Sequence, residues 1–332
     1  MKARVGLRGA RRADGRTYPW RLLLCLGSIL AVGCGGGPTA PGTTLALSCP
    51  QPLTVESLDG AAVPLTYPAP VATGGTPPVT VTCTPAAGAP VPPGATTVVC
   101  TATDPRRAFA SCAFAVTVVV PRLSAATFLA FGDSLTYGVA SAPLPALIEP
   151  VEVPGSYPSL LQAMLRDRYR TQRAAVLNLG IGGERAAGPS VHSPGGEVRL
   201  PQALDAHRPD VLLLMEGTND LNDGLDGAQA AAAALERMVR EAKARGVRVL
   251  LATVPPAREG TRRGTIARTV PTYNQMIRDL AAREGVVLVD VYAAMDLSLI
   301  GVDDLHPTPE GYAVMARTFY NAIRAAFEVR AP

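Results

Sequence analysis

The chain has 332 residues, of which 48% are hydrophobic and 17% charged, a balance that suits packed globular domains and excludes wholesale disorder. That length allows one large domain and a smaller one. The formal charge of +4 is concentrated at one end: residues 1–33 hold seven basic residues and one acid, leaving 24 Lys and Arg against 26 Asp and Glu elsewhere. The remainder is slightly acidic, so charge gives no case for nucleic acid as a partner.

The leader places Arg4, Arg8, Arg11, Arg12, Arg16 and Arg21 before the apolar run Leu22–Val32. Such a run is shorter than the about 20 apolar residues of a membrane-spanning helix and reads as a secretory signal. Ala31-Val32-Gly33-Cys34 resembles a bacterial lipoprotein cleavage box, with Ala31 where leucine is usual. The resemblance implies a signal peptide over 1–33, a lipid on Cys34, and a location in the bacterial cell envelope; ordinary signal cleavage is the alternative. Residues 34–44, rich in Gly, Pro and Thr, read as a flexible tether.

Cys49, Cys83, Cys100 and Cys112 form an even set beyond the leader. In an exported segment they predict two disulfides, with three pairings open. A zinc site is the weaker reading, because no close Cys-x-x-Cys pair and no nearby histidine is present. Around them Val79–Cys83, Thr97–Thr101 and Ala113–Val118 alternate apolar and polar residues between Pro and Gly turns, the pattern of a β-sandwich. Val81-Thr82-Cys83-Thr84-Pro85, Pro93–Asp104 and Ser111-Cys112-Ala113-Phe114 resemble a hyalin-repeat (HYR) module, an immunoglobulin-like extracellular domain. The resemblance covers 45–121 and implies spacing or adhesion, with surface or glycan contact as its only binding role.

From Ala126 the rhythm changes. Apolar runs at Thr127–Phe131, Ala174–Leu179, Val211–Met215, Val247–Ala252 and Val286–Val289 alternate with helical stretches at Ser156–Tyr169, Gly227–Arg245, Pro271–Arg283 and Pro309–Phe327. Strands alternating with helices predict a parallel sheet covered on both faces. The expectation for 122–332 is an α/β domain, a flavodoxin-like three-layer α/β/α sandwich, with the smaller all-β immunoglobulin-like sandwich before it.

Four segments of this half carry chemistry. Gly132-Asp133-Ser134-Leu135 follows the first strand, with the glycine expected to let the chain turn and Ser134 at the sheet edge where open α/β sheets bind ligands. Asp303-Asp304-Leu305-His306 sets a carboxylate three residues before an imidazole, close enough to fix its tautomer. Asp304 is the less suited partner, and His192 and His207 read as surface residues. A serine with an aspartate-oriented histidine is the nucleophile and base of acyl transfer. Asn178–Arg185 ends a strand in glycines, and Glu216-Gly217-Thr218-Asn219-Asp220 ends the next with an amide, both able to donate to an oxyanion. Each also has a plain reading as a loop former or helix cap.

Together the four segments resemble the blocks of the SGNH/GDSL hydrolases over about residues 126–328. The resemblance implies Ser134 as nucleophile and an oxyanion donor, His306 as base, Asp303 as orienting carboxylate, Asn219 as oxyanion amide and Gly183 as oxyanion glycine, with Gly182 the alternative. It implies no metal and no cofactor. Arg185 stands where the family often has threonine or serine. The activity implied is hydrolysis of carboxylic esters of lipids or acylated carbohydrates through an acyl-enzyme. Acyl transfer to a sugar or lipid hydroxyl, and non-enzymatic surface adhesion, are the alternatives. The loop Ala140–Gly155 is expected to flank the acyl pocket, and the arginines of Arg258–Arg268 to meet an anionic substrate.

Overall fold

The computed structural model describes residues 43–139, 141, 155–260 and 264–331. The expectations for the leader, for most of the tether and for nearly all of the loop Ala140–Gly155 lie outside the described residues.

The first strands are β1 (Ala46–Ser48), β2 (Leu53–Glu56), β3 (Val63–Pro64), β4 (Val71–Thr73), β5 (Thr80–Thr84), β6 (Pro90–Val91), β7 (Gly94–Thr103) and β8 (Phe109–Leu123). Strand β7 pairs antiparallel with β5 and β8, β2 pairs parallel with β8, and β1–β4 and β3–β6 form two short antiparallel pairs. Alternation makes this work: along β7 the side chains of Val98, Cys100 and Ala102 are buried while their neighbours face out. Val98 and Cys100 join Leu65, Val91, Phe114, Val116 and Val118 in a small core. Two disulfides close it, Cys49–Cys112 and Cys83–Cys100.

Strand β8 continues through Pro121 to Leu123 and leads into β9 (Thr127–Gly132). There follow α1 (Ser134–Tyr137), α2 (Tyr157–Arg168), β10 (Ala175–Gly180), α3 (Gly196–His207), β11 (Val211–Met215), α4 (Gly224–Ala244), β12 (Arg248–Ala252), α5 (Val270–Glu284), β13 (Val287–Val289), α6 (Val291–Ala294), α7 (Pro309–Phe327) and β14 (Glu328–Ala331). Strands β10-β9-β11-β12-β13 form, in that order, a sheet in which every pair is parallel. This is the flavodoxin-like order, with a switch point between β9 and β11. Helices α2 and α7 pack together, Tyr157 stacked on Phe319 at 4.7 Å, and α3, α4 and α5 form a second group. Every residue of the central strand β11 is buried, as a two-sided sheet requires.

The last strand, β14, returns to pair antiparallel with the end of β8. The junction is further held by Arg168 of α2, which pairs with Glu56 of β2 at 3.1 Å and Glu328 of β14 at 2.6 Å. Hydrogen bonds from Arg168 take the Glu328 carboxyl down to about 2, and the Tyr169 hydroxyl donates to the same carboxylate at 2.7 Å. From Thr43 onward the chain forms one compact unit.

Candidate active site

Register brings three of the four candidate segments to one edge. Gly132 lies opposite Gly180 on β10 and Met215 on β11, so the loops that follow all leave the sheet at one level. Gly132 is glycine for space rather than for turning: a Cβ there would collide with the Met215 carbonyl oxygen, while its φ lies outside the left-handed region. The chain turns into α1 because the Asp133 carboxylate accepts the Leu135 N–H at 2.9 Å, which starts the helix at Ser134.

The fourth segment meets them from the loop before α7, a helix capped by the Thr308 hydroxyl, which accepts the Gly311 N–H. His306 Nε2 lies 2.9 Å from Ser134 Oγ, and its Nδ1 lies 2.6 Å from Asp303 Oδ2. Ser134, Asp303 and His306 are all buried. The second carboxylate oxygen of Asp303 accepts the His306 N–H at 2.9 Å, the Leu305 N–H at 3.2 Å and the Ser141 hydroxyl at 3.0 Å. Burial pushes this carboxyl up, but the hydrogen bond and charge of the His306 ring, with those backbone donors, outweigh it and bring it down to about 2.

Asp304 turns away from this pair. With φ +68 it adopts the left-handed conformation and pairs with Arg258 Nη1 at 3.1 Å, while Arg258 Nη2 donates to the carbonyls of Leu297 and Ile300. Arg258 thus braces the loop that carries Asp303 and His306. Arg268 pairs with Glu259. Of the four arginines expected to meet an anionic substrate, Arg258 and Arg268 thus face intramolecular carboxylates. Residues 261–263 lie outside the described residues. His192 and His207 are exposed, as expected of surface residues.

Asn219 and the glycine loop are tied to each other. Asn219 Nδ2 donates to the Glu184 carbonyl at 2.7 Å, so its side chain does not cap the following turn. Gly183 is exposed with φ +76, and nothing lies within 4 Å of where a Cβ would stand, so its backbone is open to approach. Gly182 is half-buried. Asp220 accepts the N–H groups of Ala186 and Ala187 at 2.8 and 3.0 Å. Arg185, the departure from the family pattern, pairs with Asp223 and lies 3.7 Å from Asp220. It adds a third link between the two loops. Beneath them the buried Glu184 carboxylate pairs with Arg199, whose guanidinium lies 3.8 Å over the Phe131 ring, and takes a hydrogen bond from Ser193.

Three more carboxyls lie behind the serine. Burial drives Asp133 up to about 7, with the charges of Glu184 and Asp220 adding to it. Glu216 is raised well above the ordinary range by burial and then by Asp133, and Asp220 is raised by burial. Chemically, the arrangement is a hydroxyl in contact with an imidazole whose far nitrogen is fixed by an ionised carboxylate, set beside backbone and amide donors. Sequence reading missed Ser141 and the bracing role of Arg258. Neither has a local signature, because each meets the histidine loop from far along the chain.

Residues 130–314 match the GDSL-like Lipase/Acylhydrolase family. The chain belongs to that family, and its α/β domain is by class a carboxylic ester hydrolase. It is similar to a multidomain esterase of Ruminococcus flavefaciens, 24% identical over 61% of this chain and 29% of that protein. The chain therefore spans under a third of that curated relative's length. In fold it is similar to a carbohydrate acetylesterase family member from Sinorhizobium meliloti, with 23% identity, 60% of this chain and 98% of that one covered, and a TM-score of 0.52. It is likewise similar to the M. smegmatis aryl esterase, with 21% identity, 60% and 99% coverage and a TM-score of 0.53.

Proposed function

We propose that the protein is an exported serine esterase that cleaves short-chain carboxylic esters through an acyl-enzyme. The observation that carries this is the continuous hydrogen-bonded chain from Ser134 through His306 to Asp303. In the first half-reaction His306 Nε2 takes the Ser134 proton as Oγ attacks the ester carbonyl. The negative oxygen is met by the Ser134 and Gly183 N–H groups and by the second Nδ2–H of Asn219. Collapse expels the alcohol, which receives the proton from His306 and leaves the acyl group on Ser134. Water, deprotonated by His306, then attacks the acyl-enzyme and releases the carboxylate and free Ser134. Asp303 holds Nδ1 protonated throughout and stabilises the imidazolium.

An ester of a carbohydrate is the first natural substrate to test, given the activity printed for the Sinorhizobium meliloti protein of similar fold. Hydrolysis of p-nitrophenyl esters from acetyl to palmitoyl, and acetate release from acetylated xylan fragments, test the reading. Activity that falls with acyl length and vanishes in Ser134→Ala and His306→Ala is expected. Undiminished activity in either variant would overturn it, and product transferred to an added alcohol instead of water would move the assignment to acyl transfer.

We further infer that residues 1–33 are a lipoprotein signal, that Cys34 carries the lipid after export to the cell envelope, and that 45–121 is an HYR-like spacer ahead of a hydrolase domain over 122–332. Two disulfides among short alternating strands support the spacer reading. Labelling with an alkyne fatty acid in the producing bacterium should mark the wild-type chain and not Cys34→Ala; equal labelling of both would refute the anchor.

A further inference from the structure

The β-rich unit is electrically lopsided. Between Thr43 and Pro121 the only basic residues are Arg106 and Arg107, adjacent in the turn that joins β7 to β8. Both are exposed, and among the described residues no ion pair occupies either guanidinium. Phe109 follows them, 74% exposed at the start of β8. The turn is built rather than loose: Asp104 is buried, and its carboxylate accepts the N–H groups of Arg106 at 3.0 Å, Ala108 at 2.9 Å and Thr76 at 2.8 Å. Those bonds hold two arginines and an aromatic ring outward on one rigid tip.

Position gives the tip its meaning. Strand β8 runs 15 residues from Phe109 to Leu123, and β14 first meets it at Val120, so at about 3.3 Å per residue the strand carries the tip up to about 36 Å beyond that pairing. Of the three acids in this stretch, Glu56 and Asp59 lie toward the other end, where Glu56 pairs with Arg168, and Asp104 is buried in the tip with its carboxylate on backbone N–H groups, so the exposed charge of the tip is that of the two arginines. The chain also enters at the tip: the Gly75 N–H donates to the Thr43 carbonyl at 2.8 Å, and the next residue, Thr76, donates to Asp104. Cys34 precedes Thr43 by nine residues, a reach of at most about 30 Å.

We propose that the Arg106–Phe109 tip is a contact for an anionic phospholipid surface, with the arginines on headgroup phosphates, the Phe109 ring at the acyl boundary, and β8 holding the esterase away from the bilayer. Arginine beside an exposed aromatic suits that interface, where one side of the contact is charged and the other apolar. The inference rests on the proposed export, and not on lipidation of Cys34.

The test uses chain from residue 35 onward, which keeps the whole compact unit and has neither leader nor lipid. Flotation with vesicles of equal phosphatidylglycerol and phosphatidylethanolamine is compared with pure phosphatidylcholine. Binding to the anionic vesicles, weakening with salt, is expected. The Arg106→Gln/Arg107→Gln variant should bind about 30-fold more weakly and Phe109→Ser about tenfold more weakly, both with unchanged p-nitrophenyl acetate hydrolysis. No vesicle binding by the wild type, equal binding to the neutral vesicles, or unchanged binding by both variants would overturn the proposal. So would retention on an acidic polysaccharide without vesicle binding. Fatty-acid labelling of Cys34 reports separately on the anchor.

Discussion

Replacing Asp303 with asparagine separates the two things this carboxylate does. In the wild type one oxygen receives the His306 ring N–H and the other receives Leu305, His306 and Ser141. Asparagine can keep its carbonyl oxygen on the three donors, which turns its NH2 toward Nδ1. Nδ1 must then accept, the proton moves to Nε2, and the imidazole donates to Ser134 instead of receiving its proton. In serine triads that tautomer change costs about 10⁴ in kcat, or about 5.5 kcal/mol. The carboxyl sits at about 2 in the fold against 3.8 in the unfolded chain, so it contributes roughly 2 kcal/mol of stability at neutral pH. The sign follows from a lowered acid: the contribution is complete above about pH 4 and is lost as pH falls through 2. Steady-state kinetics on p-nitrophenyl acetate and urea melts across this range check both. A kcat loss below tenfold, or a stability deficit that persists unchanged at pH 2, would refute the reasoning.

Asn219→Ala should lower kcat by 10² to 10³ while KM for p-nitrophenyl acetate changes little; a KM effect alone would remove the amide from the oxyanion site. Arg258→Ala, which releases the carbonyls of Leu297 and Ile300 and the Asp304 carboxylate, should reduce kcat by about tenfold at constant KM, with Arg258→Lys recovering part of it; unaltered kcat would make the brace irrelevant to catalysis. Asp133 is held up to about 7, so its burial costs the fold progressively more as pH rises from 3.8 to 7, by a few kcal/mol in all. Asp133→Asn keeps the cap to Leu135 without the charge, and its melting temperature should gain on the wild type across that window and hold steady above it; a constant difference would mean the carboxyl is already ionised in the fold.

The elements were legible where pattern and burial coincide. Val211–Met215 and Pro309–Phe327 have the expected limits, one a continuous apolar run on a two-sided sheet and the other a sharply amphipathic helix behind a threonine cap. Helix α3 does not stand out among the clear helical patterns because Pro201 lies inside it and glycines open it, both of which read locally as a loop. The disulfide pairing was out of reach for a different reason. Cys100 lies opposite Cys83 on one side and Cys112 on the other, so three cysteines share one row across β5, β7 and β8. Which neighbour Cys100 takes depends on where Cys49 arrives, and only the fold settles that.

At the site, Ser134, Asp303 and His306 stood out because each follows a strand end or precedes a helix with its own punctuation, and the structure brings them within hydrogen-bond distance. Ser141 and the Arg258 brace had no such marks. A charged loop looks equally ready for substrate or for an internal partner until its carboxylates are placed. Arg185 shows the same ambiguity, since its link to Asp223 joins two loops about 40 residues apart.

The most direct test is to trap the acyl-enzyme. Protein quenched in acid during turnover of p-nitrophenyl acetate, then digested and mapped by mass spectrometry, should carry an acetyl group on the peptide containing Ser134, and His306→Ala should carry none. Turnover with no adduct on Ser134, or an adduct on another residue that survives in Ser134→Ala, would contradict the serine mechanism.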